Sequence, residues 1–190
     1  SPWSLVGSEM CIRDRFYNYA LIKGIKPICG VDFDIKVNNG YSNLILLAKN
    51  KKGLEKLFKL STESFVKSGS EKRSIPEQDI LNNSDDIVCI IPSSSPNLRN
   101  LALKKEDLLI DEHYKKYLEA FAENLFIGVS NFSKDGYDSA SALACNIAKK
   151  NNIKAVAIND VLFLEKEDHL AHQAKVCLLY TSDAADDPTC

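Results

Sequence analysis

Asn152-Ile-Lys-Ala-Val-Ala-Ile-Asn-Asp-Val-Leu-Phe-Leu-Glu-Lys-Glu-Asp-His-Leu-Ala-His-Gln-Ala-Lys-Val176 is the stretch on which the fold turns. Ile153 to Ile158 is short, β-branched and small, the composition of a strand buried on both faces. It stops at the polar pair Asn159-Asp160. Beyond Val161 to Leu164, the acids Glu165, Glu167 and Asp168 open a helical pattern carrying Leu170, Ala171, Ala174 and Val176. Acids in a first turn suit the positive end of a helix. In α/β folds ligands sit beyond the carboxyl ends of strands, which puts Asp160 where chemistry is expected; a loop-capping Asp reads the same way.

Working back from that strand, the chain alternates. Phe16 to Lys23 has helical spacing, with Gly24 placed to end it. Ile25 to Ile35 reads as a strand holding Asp32, and Asn38-Asn39-Gly40 as a turn before a strand over Tyr41–Ala48. Asn50 to Phe65 is an amphipathic helix with Leu54, Leu57, Phe58 and Leu60 inward. Its lysines, with Lys49, read as a solvated face, since no exposed aromatics interleave to make a nucleic-acid platform. Ile75 to Leu81 suggests a short helix with Pro76 near its start. Asp86 to Ile91 is a third apolar strand, closed by Pro92-Ser-Ser-Ser-Pro96, which lacks the glycines and lysine of a P-loop. Helical patterns over 97–105 and 111–123, a strand over 125–129 and a helix over 137–150 complete the series. Strands alternating with helices make a parallel sheet or barrel the economical α/β architecture.

The two ends stand apart. Leu5 to Arg15 and Cys177 to Cys190 have no apolar period. Codons GAG-ATG-TGT-ATA-AGA-GAC give Glu9 to Asp14, and the complementary strand, read CTC-TTA-TAC-ACA-TCT, gives Leu178 to Ser182. Residues 1–15 and 177–190 are therefore expected to be translated adapter tails, with one domain over 16–176. The chain has 24 Lys+Arg and 26 Asp+Glu. Setting aside Arg13 and Arg15, and Glu9, Asp14, Asp183, Asp186 and Asp187, leaves 22 and 21, a net charge near +1. No basic excess marks a nucleic-acid footprint. Cys29, Cys89 and Cys145 are spread through apolar patterns, the mark of thiols in a reducing cytoplasm. A hydrophobic fraction of 45% suffices for one core, and no apolar run is long enough to span a membrane.

Asn159-Asp160-Val161-Leu162-Phe163, followed by Glu167-Asp168 and Ala171-His172, resembles the end of the PHP (polymerase and histidinol phosphatase) domain of the alpha subunit of bacterial DNA polymerase III. There an Asn-Asp-Val-His-Tyr-like motif precedes an acidic pair and a helix with Ala-His. Leu162 stands where the metal-binding His is usual. Lys26-Pro-Ile-Cys-Gly-Val-Asp-Phe33 resembles Lys-Pro-Ile-Ile-Gly-Cys-Glu-Phe, in which the Glu is a metal-site carboxylate; Asp32 takes its place. The string Leu46 to Leu54 is similar to the family's Leu-Leu-Ala-Lys-Asn and the helix after it. Asn43 stands where metal-binding members carry a His, and the Pro92–Pro96 loop has neither Cys nor His. The family's His-x-His and Thr-Asp-His motifs lie upstream of the segment resembling Phe16 to Ile35.

The resemblance covers nearly all of 16–176 and implies a partial PHP-type (β/α)7 barrel-like fold, parallel strands alternating with helices. It leaves Asp32 and Asp160 as a residual metal pair, with no catalytic residue and no cofactor expected, and zinc or manganese only if the site is retained. It implies inward placement of Asp32, against its reading as a strand-end acid facing water. Leu162 should fill the place of the ligand, and His169 and His172 should serve capping and packing. His113, beside Asp111 and Glu112, reads as the start of a surface helix. The function implied is a cytoplasmic scaffold fragment of a replicative polymerase, a nucleotidyltransferase as the whole parent chain and inactive alone. Partners would be the parent's polymerase module and a proofreading exonuclease subunit, with DNA reached only through the parent. The alternative is a metal-dependent PHP phosphoesterase.

Overall fold

The computed structural model of the 190-residue chain describes residues 8–37, 40–68, 73–104, 107–130, 137–159, 161–162, 164–175 and 177. They fall into two compact units that divide after Ala157.

The first unit begins with α1 (Ser8–Ile22), which starts inside the expected adapter tail. Gly24, at φ 70°, ends it: the Gly24 and Ile25 N–H groups turn back to the carbonyls of Leu21 and Ala20 at 3.0 and 2.9 Å. Ala20 is buried, whereas Phe16, Tyr17 and Leu21 stay exposed.

The strands are β1 (Gly30–Val37), β2 (Gly40–Ala48), β3 (Ile75–Pro76), β4 (Ile87–Pro92), β5 (Leu125–Val129) and β6 (Lys154–Ala157). They form one six-stranded sheet in the order β3-β1-β2-β4-β5-β6. The α/β expectation holds, among the described residues as an open sheet and not a closed barrel. Strand direction departs from an all-parallel array. β1 and β2 pair antiparallel, as do β2 and β4; β1 with β3, β4 with β5 and β5 with β6 are parallel. Only two residues separate β1 from β2, and a parallel neighbour needs a crossover of a dozen or more. The later strands have such crossovers through α2 (Lys51–Ser68), α3 (Glu77–Leu81), α4 (Pro96–Lys104), α5 (Asp107–Phe121) and α6 (Tyr137–Lys150).

Period-2 alternation sends Phe33, Ile35, Leu44, Leu46, Ile87, Cys89, Ile91, Leu125 and Ile127 to one face. There they join Leu57 and Leu60 of α2, Ile80 of α3, Leu98 of α4, Tyr114, Tyr117 and Phe121 of α5, and Ala144 and Ile147 of α6 in one buried core. Each fully buried aliphatic side chain, such as Leu46, contributes about 2 kcal/mol. Phe58, expected inward, is exposed. The other face carries the row Asp32, Ile45, Ile90, Phe126, Lys154 from β1 to β6.

Ile75-Pro76 pairs beside β1, and α3 begins only at Glu77. The strand expected to be buried on both faces is a further correction. In β6, Lys154, Ala155 and Ala157 are exposed and Val156 is half-buried. Among the described residues β6 is the last strand of the sheet, with β5 its one neighbour in it, and an end strand lacks flanking side chains on one side.

The second unit, 158–190, has a 3₁₀ turn over Lys166–Asp168 and helical residues at 169–175. Glu165 and Asp168 form a capping box, the Glu165 N–H donating to Asp168 Oδ2 at 3.2 Å. The acids at 165–168 therefore act on the helix start.

Candidate functional site

The sequence points to the hairpin of β1 and β2. Residues two apart on a strand share a face, so Asp32 and Asp34 lie together. Asn43 is the register partner of Asp34, and Ile45 that of Asp32. This sets Asn43 diagonal to Asp32, within reach of a short polar side chain. The Asn43 amide closes that distance, Nδ2 donating to Asp32 Oδ1 at 3.2 Å. Asp32 is exposed, facing away from the packed core; of the two readings of this acid, the solvent-facing one describes its surroundings.

Asp160, the other member of the expected metal pair, lies outside the described residues. Leu162 is 60% exposed, so it fills no pocket as carbon in place of a ligand. His169 Nδ1 lies 2.8 Å from the Lys166 carbonyl oxygen, so that ring nitrogen carries the hydrogen and donates. His169 thus serves the helix start, and His172 is half-buried. The side chain of His113 lies outside the described residues. Among the described residues no three His, Cys, Asp or Glu side chains gather closely enough to hold a metal ion. Zinc or manganese sites draw on three or four donors. On the hairpin Asp32 and Asp34 offer hard oxygens, and Asn43 presents an N–H to one of them. This set does not fit a transition metal.

The serine-rich end of β4 is satisfied internally. Ser93 Oγ accepts from the Ser130 N–H at 3.0 Å and lies 2.9 Å from Ser130 Oγ, while Ser141 Oγ donates to the Ser130 carbonyl at 2.8 Å. The hydroxyls fasten the ends of β4 and β5 to α6, and Ser95 accepts from the Leu98 N–H at 3.4 Å to start α4. Lys51, Lys52 and Lys59 form a solvated face. Lys49 donates to Asn124 Oδ1 at 2.9 Å and Lys56 to the Asp85 carbonyl at 2.9 Å, so both fasten α2 and its approach to neighbouring loops.

Two long-range links were not legible beforehand. Glu77 accepts from Lys116 and from the Tyr117 hydroxyl, joining α3 to α5. Burial, then Glu77, pushes the Tyr117 hydroxyl far above the usual tyrosine range. Asn50 Oδ1 caps α2 by accepting from the Gly53 N–H at 3.0 Å, and its Nδ2 donates to Asp86 Oδ1 at 2.7 Å. The Asn-x-x-Gly spacing was a signal for the cap; nothing local tied it to Asp86. A cavity of about 780 Å³, walled by Tyr17, Leu21, Ile28, Leu47, Leu54 and Val88, opens between α1 and the sheet, and neither Asp32 nor Asn43 lines it.

With the geometry in place, comparison with known proteins decides the family. The PHP domain matches residues 8–131, about two-thirds of the chain, from α1 through β5. The chain belongs to the PHP domain family. Its curated relatives include the DNA polymerase III subunit alpha of Pseudomonas aeruginosa, 28% identical across 90% of this chain and 15% of that one. That of Haemophilus influenzae is 27% identical across 96% and 16%, and that of Escherichia coli K12 is 24% identical across 95% and 16%. The chain thus spans about one-sixth of the length of these relatives. Of the ligand positions named by the resemblance, those inside the matched residues hold Asp32 and Asn43, and the hairpin joins them. Among the described residues no helix is long and apolar enough to cross a membrane.

Proposed function

We propose that this PHP domain is the scaffold segment of a replicative DNA polymerase alpha subunit, with a degenerate metal site. The observation that carries the reading is the donor set. On the hairpin of β1 and β2, two carboxylates and an amide hydrogen-bonded to one of them stand where a hydrolytic centre needs several fixed ligands. The likeness to polymerase subunits over most of this chain supplies the parent. Nucleotidyl transfer then belongs to the rest of the parent, and so does contact with DNA; a core charge near +1 accords with that. The face carrying Asp32 and the parent's own polymerase module are the natural neighbours of such a scaffold, and a proofreading exonuclease subunit is a further partner in a cytoplasmic replication assembly.

The test uses the parent polymerase and this chain side by side. Asp32→Ala in the parent should leave primer extension within about twofold, because Asp32 supports no reaction. Leu46→Ala should cost about 2–5 kcal/mol of stability through a core cavity and lower the yield of soluble polymerase. This chain should not hydrolyse p-nitrophenyl phosphate with manganese or zinc. Metal-dependent hydrolysis abolished by Asp32→Ala would establish the phosphoesterase alternative instead.

A further inference from the structure

We infer that the groove bounded by α1, α2 and the sheet is a docking site for an amphipathic helix with acidic flanks, supplied by a partner protein. The inference goes beyond the scaffold reading by naming what the scaffold holds, and neither Asp32 nor Asn43 lines the groove. The cavity of about 780 Å³ runs into a second of about 330 Å³, and Tyr17, Ile28, Cys29 and Leu54 wall both. Along α2 the walls extend from Lys51 to Ser61, about 15 Å of helix and close to three turns. Phe16, Leu21, Ile28 and Phe58 on its sides are exposed. Apolar and aromatic side chains gathered open along a groove mark a surface that a protein covers.

The floor decides the form of the occupant. Leu47 and Val88 belong to β2 and β4, each of which has a strand on both sides. No strand edge is on offer there, and an extended peptide would bury its backbone groups unpaired. A helix satisfies its own backbone, and lays side chains spaced i, i+3, i+4 and i+7 into such a groove. The rim decides the charge. Lys26, Lys49 and Lys51 stand on the walls, and the first turn of α2 carries no acid against its positive end. Asp14, the one carboxylate on the walls, belongs to the expected adapter tail. Acidic residues beside an apolar stripe complement this field, and basic ones are repelled by it.

The test titrates a fluorescein-labelled peptide of about 14 residues, close to four helical turns, into the full chain. It carries leucines at i, i+3, i+4 and i+7 and glutamates on its other faces; a twin with lysines for the glutamates is the control. Anisotropy should show the acidic peptide binding at least about tenfold more tightly than its basic twin. Lys26→Glu with Lys51→Glu should weaken the acidic peptide by about tenfold and favour the basic one. Both lysines are exposed, so the reversed chain is expected to fold, and the comparison of the two peptides on the native chain needs no variant. Cys29 reports the place of binding. A seated helix should slow its alkylation by N-ethylmaleimide, read by peptide mapping, and leave the free thiols of Cys145 and Cys177 unchanged. Failure of the acidic peptide to bind, equal affinity for the two peptides, or binding that leaves Cys29 open overturns the inference. Self-association of the chain that shields Cys29 gives the groove to a second copy and overturns it too.

Discussion

Gly53 lies so close to Asp86 that a Cβ on the glycine would sit 2.1 Å from the Asp86 carbonyl oxygen. The contact is held from several directions. Asn50 bonds both residues, the Lys49 N–H donates to the Asp86 carbonyl at 3.0 Å, and Asp86 itself takes a positive φ of 63°. This loop joins the start of α2 to the entry of β4.

Gly53→Ala is therefore expected to destabilise the domain. Helix propensity alone favours alanine by up to about 1 kcal/mol. The clash is with backbone, which no rotamer change can relieve, and overpacking of this kind costs about 1–3 kcal/mol. Urea denaturation should show a lower midpoint with an unchanged slope. A stabilised Gly53→Ala would mean that the two segments separate freely.

Leu162→Ala should be nearly silent. A core leucine cut to alanine costs about 2–5 kcal/mol, but Leu162 is 60% exposed, and substitutions at such positions stay within about 0.5 kcal/mol. A loss of stability of core size, read from the same denaturation curves, would contradict its surface position.

Glu77→Ala should be costly, because it strips two donors at once. Lys116 loses its ion pair and the buried Tyr117 hydroxyl loses its acceptor. Lys116 is part-exposed and water recovers some of its loss, so about 1.5–3 kcal/mol is expected, as for hydrogen bonds to charged groups. Tyr117→Phe should cost less than Glu77→Ala, since it leaves the Lys116 pair in place.

Burial raises the hydroxyls of Tyr114 and Tyr117 above their ordinary range. The unfolded chain then releases these protons first, near pH 10. Stability from this source is complete below about pH 10 and declines as pH rises further toward the folded-state values. Denaturation midpoints should fall as pH rises above about 10, and less steeply in Tyr114→Phe. An equal slope in the variant would place the alkaline loss elsewhere.

Removal of residues 1–15 and 177–190 should leave the thermal midpoint within about 2 °C if they are adapter-derived tails. The helix α1 and the family match both begin at residue 8, so this deletion tests the proposed boundary directly. A loss of several degrees would make the N-terminal segment part of the fold.

Much of this domain was written locally. The period of Leu57 and Leu60 marked α2, that of Tyr114, Tyr117 and Phe121 marked α5, and that of Ala144 and Ile147 marked α6; all are buried. The strand read over Tyr41–Ala48 is β2, with Leu44 and Leu46 buried, because the spacing of side chains along a helix or strand is local geometry. What only the tertiary structure decided was neighbourhood. Residues 153–158 have an interior composition, yet β6 is exposed because it is the last strand of the sheet. Asp32 and Asn43, eleven residues apart, became a pair through antiparallel register. Glu77 met Lys116 and Tyr117 only once α3 packed on α5. Pattern tells which face of a segment seeks burial; which segment lies beside it depends on chain connections and packing, and polar pairs made across the fold follow from those.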